Sequence, residues 1–198
     1  MLNWLKSNHQ ALTAIGAMVV GLAALFIAWD QARVMRAQQH GAAYPVLQID
    51  GFVGSGTTSR TVGITVSNNG VGPALIESVT VHRDGQPVAD FDDADDLLHE
   101  GHDVSWASLT GRALAPGANV TPLSIRWSTE DLSAEAHATV AAAWDRYDVQ
   151  ICYCSVFDRC WQTFGVGGAH AERVRQCPVA QDDIFEAFGE SSMRDENP

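Results

Sequence analysis

Basic residues are scarce in this chain. Only 12 of its 198 residues are Lys or Arg, against 24 Asp and Glu, and the formal net charge is −12. Binding to nucleic acid rests on a basic patch that neutralises phosphates, so that class of partner is disfavoured. An acidic soluble part is also repelled by anionic lipid headgroups and is not expected to lie flat on a bilayer. Catalytic signatures are missing as well: there is no G-x-S-x-G, no H-E-x-x-H, no P-loop and no dinucleotide fingerprint. Gly54-Ser55-Gly56 is followed by neither Lys-Ser/Thr nor a helical pattern, so it reads as a flexible loop rather than a phosphate cradle. Catalysis and a bound cofactor are therefore not expected.

Charge of either sign is absent from Ala11 to Trp29, ALTAIGAMVVGLAALFIAW. At 1.5 Å per residue such a helix spans about 28 Å, close to the thickness of a hydrocarbon core. In lipid every backbone polar group must be satisfied within the segment, which makes a helix the expected form. No clean A-x-A site follows, and apolar residues continue past Gly21-Leu22-Ala23, so the run reads as an uncleaved anchor rather than a signal peptide. Trp4 and Trp29 bracket it, as interfacial tryptophans do. Ala17 and Gly21 have small-xxx-small spacing, which permits close helix contact. The expected organisation is a short tail (1–10), a transmembrane helix (11–29) with the lipid bilayer as its partner, a helical stalk (30–43) ending near Gly41, one soluble domain (44–190) and a flexible C-terminus (191–198). A soluble part of this size is long enough for one real core.

Sidedness is set by two opposed signals. Lys6 and the terminal amine precede the run, while Arg33 and Arg36, offset by Asp30, follow it, and the bare count slightly favours a cytoplasmic domain. The cysteines, discussed below, favour the other side.

The soluble part has strand periodicity. Leu47 and Ile49 alternate with Gln48 and Asp50, and Val62, Ile64 and Val66 alternate in TVGITVS. Gly51–Ser59 is expected to be a loop or hairpin tip. Asn68-Asn69-Gly70 and Asp84-Gly85 are turn signals, because Asn, Asp and Gly accept positive φ. The strand between them alternates imperfectly around Ala74–Ile76. Strand, NNG, strand, DG, strand is an antiparallel meander or Greek-key pattern. Ser108–Trp127 reads as strand, Pro116-Gly117 turn, strand. Ser128 is the expected N-cap of a short helix reaching about Ala143, with Leu132, Ala136 and Val140 on one face and His137 at the surface. A second short helix is expected over Gln181–Phe188, with Ile184, Phe185 and Phe188 on its packed side.

Two blocks, SNNGVGPALIESVTV (Ser67–Val81) and YCSVFDRCW (Tyr153–Trp161), resemble segments of uncharacterised bacterial single-pass membrane proteins. The first also looks like the strand-turn-strand opening of immunoglobulin-like adhesion modules. The resemblance implies a mainly β fold, namely an N-terminal transmembrane helix followed by an immunoglobulin-like antiparallel β-sandwich with one or two short helices. It brings no activity and no functional residues with it. The function expected is that of a protein-interaction or structural module of the bacterial envelope, anchored in the inner membrane and working with another envelope protein.

Two stretches carry ligand chemistry. Asp90–Asp103, DFDDADDLLHEGHD, offers Asp92, Asp95, Asp96, His99 and His102 as a metal-binding alternative. The EF-hand pattern fails there, with no Gly at loop position six and no Glu at twelve. The plainer reading is a solvated loop leading into a short helix whose N-terminus favours acids. The second stretch is Tyr147–Cys154, YDVQICYC. As a strand it sets Tyr147, Val149, Ile151 and Tyr153 on one face and Cys152 and Cys154 on the other. A hairpin through Ser155–Arg159 sets Cys154 opposite Cys160. The tail carrying Cys177 can then fold over the outer face to Cys152, shielding Phe164. Four cysteines allow three pairings, and sequence does not choose between them. The expected pairs are Cys154–Cys160 and Cys152–Cys177. Disulfides persist outside the cytoplasm, which favours a periplasmic domain. If the domain is cytoplasmic, C-x-C-x5-C-x16-C becomes a four-thiolate zinc site. The third possibility, Cys152-x-Cys154 as a redox pair, lacks the helix start that lowers a thiol pKa.

Overall fold

The computed structural model describes residues 9–88, 97–178 and 182–188. The chain divides into two units, Met1–Ala42 and Ala43–Pro198.

The described residues of the first unit form one helix, α1 (His9–Ala42). It contains no proline, and the chain leaves the helix just before Tyr44-Pro45, where the pre-proline restriction disfavours the α region. Its length and composition suffice to cross a membrane: Thr13–Ala42 has a mean hydropathy of 1.8 in its most apolar window, and none of that window is buried.

The second unit is mainly β and sandwich-like. In chain order its elements are β1 (Leu47–Ser55), β2 (Ser59–Asn68), β3 (Ala74–Arg83), β4 (Gln86–Pro87), β5 (His102–Trp106), β6 (Ala113–Leu114), β7 (Asn119–Ser128), α2 (Ala134–Trp144), β8 (Tyr147–Cys154), β9 (Cys160–Phe164) and β10 (Ala171–Val174). A last short helix, α3, covers residues 184–188. One antiparallel sheet has the order β1-β2-β7-β5, and the other β10-β9-β8-β3-β4 with β6 also on β3. Alternating residues of both sheets meet in one buried cluster. Ile49, Ile64, Ile125 and Trp127 of the first sheet share it with Ile76, Val81, Ile151 and Tyr153 of the second. The uneven alternation early in β3 has a cause in the fold. The β3–β8 register shifts between Ile76 and Ser78, and this bulge returns Val79 and Val81 to the inner face.

Several expectations need correction. β1 runs on to Ser55, which pairs with Arg60, so the tip is confined to residues 56–58. Neither Asn69 nor Gly70 has positive φ. Gly70 is required for space instead: a Cβ there would overlap the Tyr44 carbonyl oxygen and the Val46 nitrogen. Asp84 (φ 52°) and Gly85 (φ 77°) do make the left-handed turn. The Arg146 guanidinium donates to the Asp84 carboxylate and, against a smaller effect of desolvation, holds its pKa below the usual value.

Ser128 ends β7 and caps only a turn, its Oγ accepting from Glu130 and Asp131 N–H. The helix cap is Ser133, whose side chain accepts from Ala136 N–H. His137 is buried, with Nε2 3.4 Å from the Thr61 carbonyl oxygen. The stretch from Ser108 contributes only the two-residue β6, while His102 and Asp103, expected in a loop-helix segment, begin β5 opposite Trp127 and Arg126. β10 pairs along β9, where sequence suggested only a tail. Phe164 stays about half exposed and packs edge-on against His82 rather than under the tail.

Candidate functional site

The period of two along β8 divides its residues between two environments. Tyr147, Val149, Ile151 and Tyr153 enter the main core, while Cys152 and Cys154 lie on the opposite face. Register then sets Cys154 directly across from Cys160 on β9. Cys177, on the chain after β10, lies over the same face. The bonds are Cys154–Cys160, with Cα atoms 4.0 Å apart, and Cys152–Cys177, with Cα atoms 5.6 Å apart. Cys152 and Cys154 are thus bonded to different partners. All four cysteines are buried and form a satellite cluster with Val174 beside it. Next to it is a shallow cleft of about 360 Å³ lined by Asp158, Arg159, Cys160, Arg173, Val174 and Arg175. Three of the twelve basic residues of the chain therefore line one cleft beside Cys160.

Of the acidic segment, Asp92, Asp95 and Asp96 lie outside the described residues. The Nδ1 of His102 sits 2.9 Å from the backbone carbonyl oxygen of His99, and the same carbonyl accepts from the Trp127 indole at 3.1 Å. The His99–Gly101 turn is thereby tied to β5 and β7. Among the described residues, the only ligand-type side chains that converge within 4.8 Å of one another are Cys154, Cys160 and Cys177, and all three sulfurs are engaged in the two disulfides.

The loops at the end where the chain enters the domain carry exposed apolar side chains. Val71 (65% exposed), Val156 (51%), Phe157 (43%) and Tyr44 (39%) come from three separate connections. They share one end because β3 begins beside the end of β8, with Leu75 opposite Cys154. Val71 N–H donates to the Tyr44 carbonyl, and the Tyr44 ring meets Trp161 of β9 edge-on at 5.0 Å. Sequence reasoning missed this patch, since each residue alone is an ordinary exposed hydrophobe.

Behind the patch lies Tyr153, fully buried, whose hydroxyl oxygen accepts from Leu47 N–H at 3.4 Å. Burial raises its pKa to about 12, outweighing the lowering effect of the Leu47 hydrogen bond. The folded pKa lies above the unfolded value of 10.0, so the stability tied to the neutral phenol is complete below pH 10 and lost as pH rises through 12. Absorbance titration at high pH should therefore show one phenol ionising together with unfolding. Tyr153→Phe should remove that late component, and a late component that persisted in the variant would refute the assignment.

Two buried polar side chains that sequence reasoning did not single out hold this end and the short helix α3 in place. Asn68 Oδ1 accepts from Val46 N–H (3.3 Å) and Gly70 N–H (3.0 Å), and its Nδ2 donates to the Gly72 (2.8 Å) and Leu114 (2.9 Å) carbonyls. Asp183 Oδ2 accepts from Leu109 N–H (2.8 Å) and Thr110 N–H (2.6 Å), and its Oδ1 from Phe185 N–H (3.0 Å) and Glu186 N–H (3.2 Å). The only sequence hints were the turn-favouring Asn-Asn-Gly and an Asp just before a short apolar helix. No protein-family model, no curated protein and no solved structure matches this chain.

Proposed function

We propose that the chain is a membrane-anchored protein-interaction or structural module of the bacterial envelope, built as an immunoglobulin-like sandwich on a single-pass helix and facing the periplasm, with no catalytic role. The apolar end of the sandwich carries this reading. Val71, Val156, Phe157 and Tyr44 put exposed apolar side chains from three connections at one end of the domain, as surfaces that meet a protein partner do. Sidedness is supported by the two disulfides, a chemistry of oxidising compartments. Anchoring is supported by the length and composition of α1. The partner is another envelope protein, as fold by itself specifies no activity.

Photo-crosslinking in intact cells tests the reading. A photoreactive residue is placed at Val71 or Val156, and as a control at Thr57 on the tip at the opposite end. Discrete protein adducts are expected at the first two positions and not at Thr57. Adding protease to spheroplasts should then degrade the domain. Equal labelling at all three positions, or none, would sink the interaction reading, and a protected domain would place it on the cytoplasmic side.

A further inference from the structure

The two disulfides are not isolated from each other. Cys154 Sγ lies 3.8 Å from Cys177 Sγ, although each is bonded elsewhere. The Sγ atoms of Cys154, Cys160 and Cys177 all lie within 4.8 Å of one another, and Cys152 is bonded to the third of them. Tetrahedral Zn²⁺ takes four thiolates at about 2.3 Å, which sets neighbouring sulfurs about 3.8 Å apart. One edge of such a tetrahedron is already present between the two disulfides.

We propose that the reduced form of this cluster is a binding site for one thiophilic d¹⁰ cation, Zn²⁺ foremost, held by Cys152, Cys154, Cys160 and Cys177. The proposal does not rest on the interaction reading, although Val156 and Phe157 lie in the β8–β9 connection between Cys154 and Cys160. A dithiol reductant supplies two electrons and two protons to each disulfide, leaving four thiols and two molecules of oxidised dithiol. Zn²⁺ then displaces four protons, and the complex carries a net charge of −2. Arg159, Arg173 and Arg175 line the cleft that reaches Cys160, with Asp158 as the one carboxylate of that lining, so the charge on this side is complementary to that anion. In a chain of net charge −12 this is an unusual place to gather arginines. Disulfide and zinc are alternative states of the same four sulfurs, and the redox poise of the compartment selects between them.

The test uses the full chain in detergent, reduced anaerobically with a phosphine and titrated with Co²⁺ as the probe, then with Zn²⁺. A single Co²⁺ per chain is expected, with thiolate-to-metal charge transfer and a tetrahedral ligand-field spectrum, displaced in full by Zn²⁺. The oxidised protein should bind none. Cys154→Ser with Cys160→Ser should abolish stoichiometric binding, while His99→Ala with His102→Ala should leave it unchanged. If reduction unfolds the domain, Zn²⁺ should restore the native circular dichroism. Failure of the reduced chain to take up metal, failure of Zn²⁺ to restore an unfolded one, or uptake indifferent to the cysteine substitutions would each overturn the proposal.

Discussion

Asn68→Ala should be among the most destabilising single substitutions in the domain, with an expected loss of about 4 kcal/mol in chemical denaturation. The side chain is fully buried and makes four hydrogen bonds, every one to backbone. Alanine removes all four partners at once and strands two N–H groups and two carbonyls. A buried unsatisfied group costs about 1–3 kcal/mol, and water entering the vacated space recovers part of that. The loss is a large share of an ordinary domain's stability, about 5–15 kcal/mol. Asn68→Asp is the sharper control because it preserves shape. It keeps an acceptor for Val46 and Gly70 but turns an oxygen toward the Gly72 and Leu114 carbonyls. We expect it to destabilise at neutral pH about as much as alanine does. A loss under about 1 kcal/mol for both variants would show that these bonds are not what holds the chain entry to the sandwich.

Asp183→Asn should release the C-terminal helix. The carboxylate is 5% exposed and accepts four N–H bonds, two from the loop at Leu109 and Thr110 and two from the first turn of α3. An asparagine has one oxygen, so whichever pair it keeps, its amide faces the other pair donor to donor. Carboxylate bonds to N–H are stronger than neutral ones. The expected cost is about 2–4 kcal/mol, most of it local. Phe185 and Phe188, both buried, would leave the core with the helix. Hydrogen exchange reads this directly: the amides of Leu109, Thr110, Phe185 and Glu186 should exchange about 30-fold to 1000-fold faster, at tenfold per 1.4 kcal/mol, while those of β2 and β7 stay protected. Unchanged exchange at the four amides would remove Asp183 from this role.

Patterns with a local cause are legible in the amino-acid sequence alone. The apolar run of α1, the alternation of β2 and β8 and the Asp84-Gly85 turn each follow from a repeat of 3.6 or 2 residues or from backbone sterics at one position. For the same reason the sequence shows that Cys152 and Cys154 share a face opposite the core. Misreadings arise where one residue type serves two purposes. Gly70 reads as a residue needing positive φ, when it is small because two backbone segments cross there. Ser128 and Ser133 are both plausible caps, and β7 extends through the first of them. His137 reads as surface, but its helix packs on β2 with that side inward.

Local pattern sets the class of each segment: one helix long and apolar enough to cross a membrane, strands of known inner face, and an acidic chain. Tertiary structure decided which segments meet. Asn68 reaches Leu114 across 46 positions and Asp183 reaches Leu109 across 74, and no periodicity spans such distances. The apolar end, the arginine-lined cleft and the approach of the two disulfides arise in the same way. Each gathers side chains from connections far apart in the chain, brought together by sheet register rather than by any local preference.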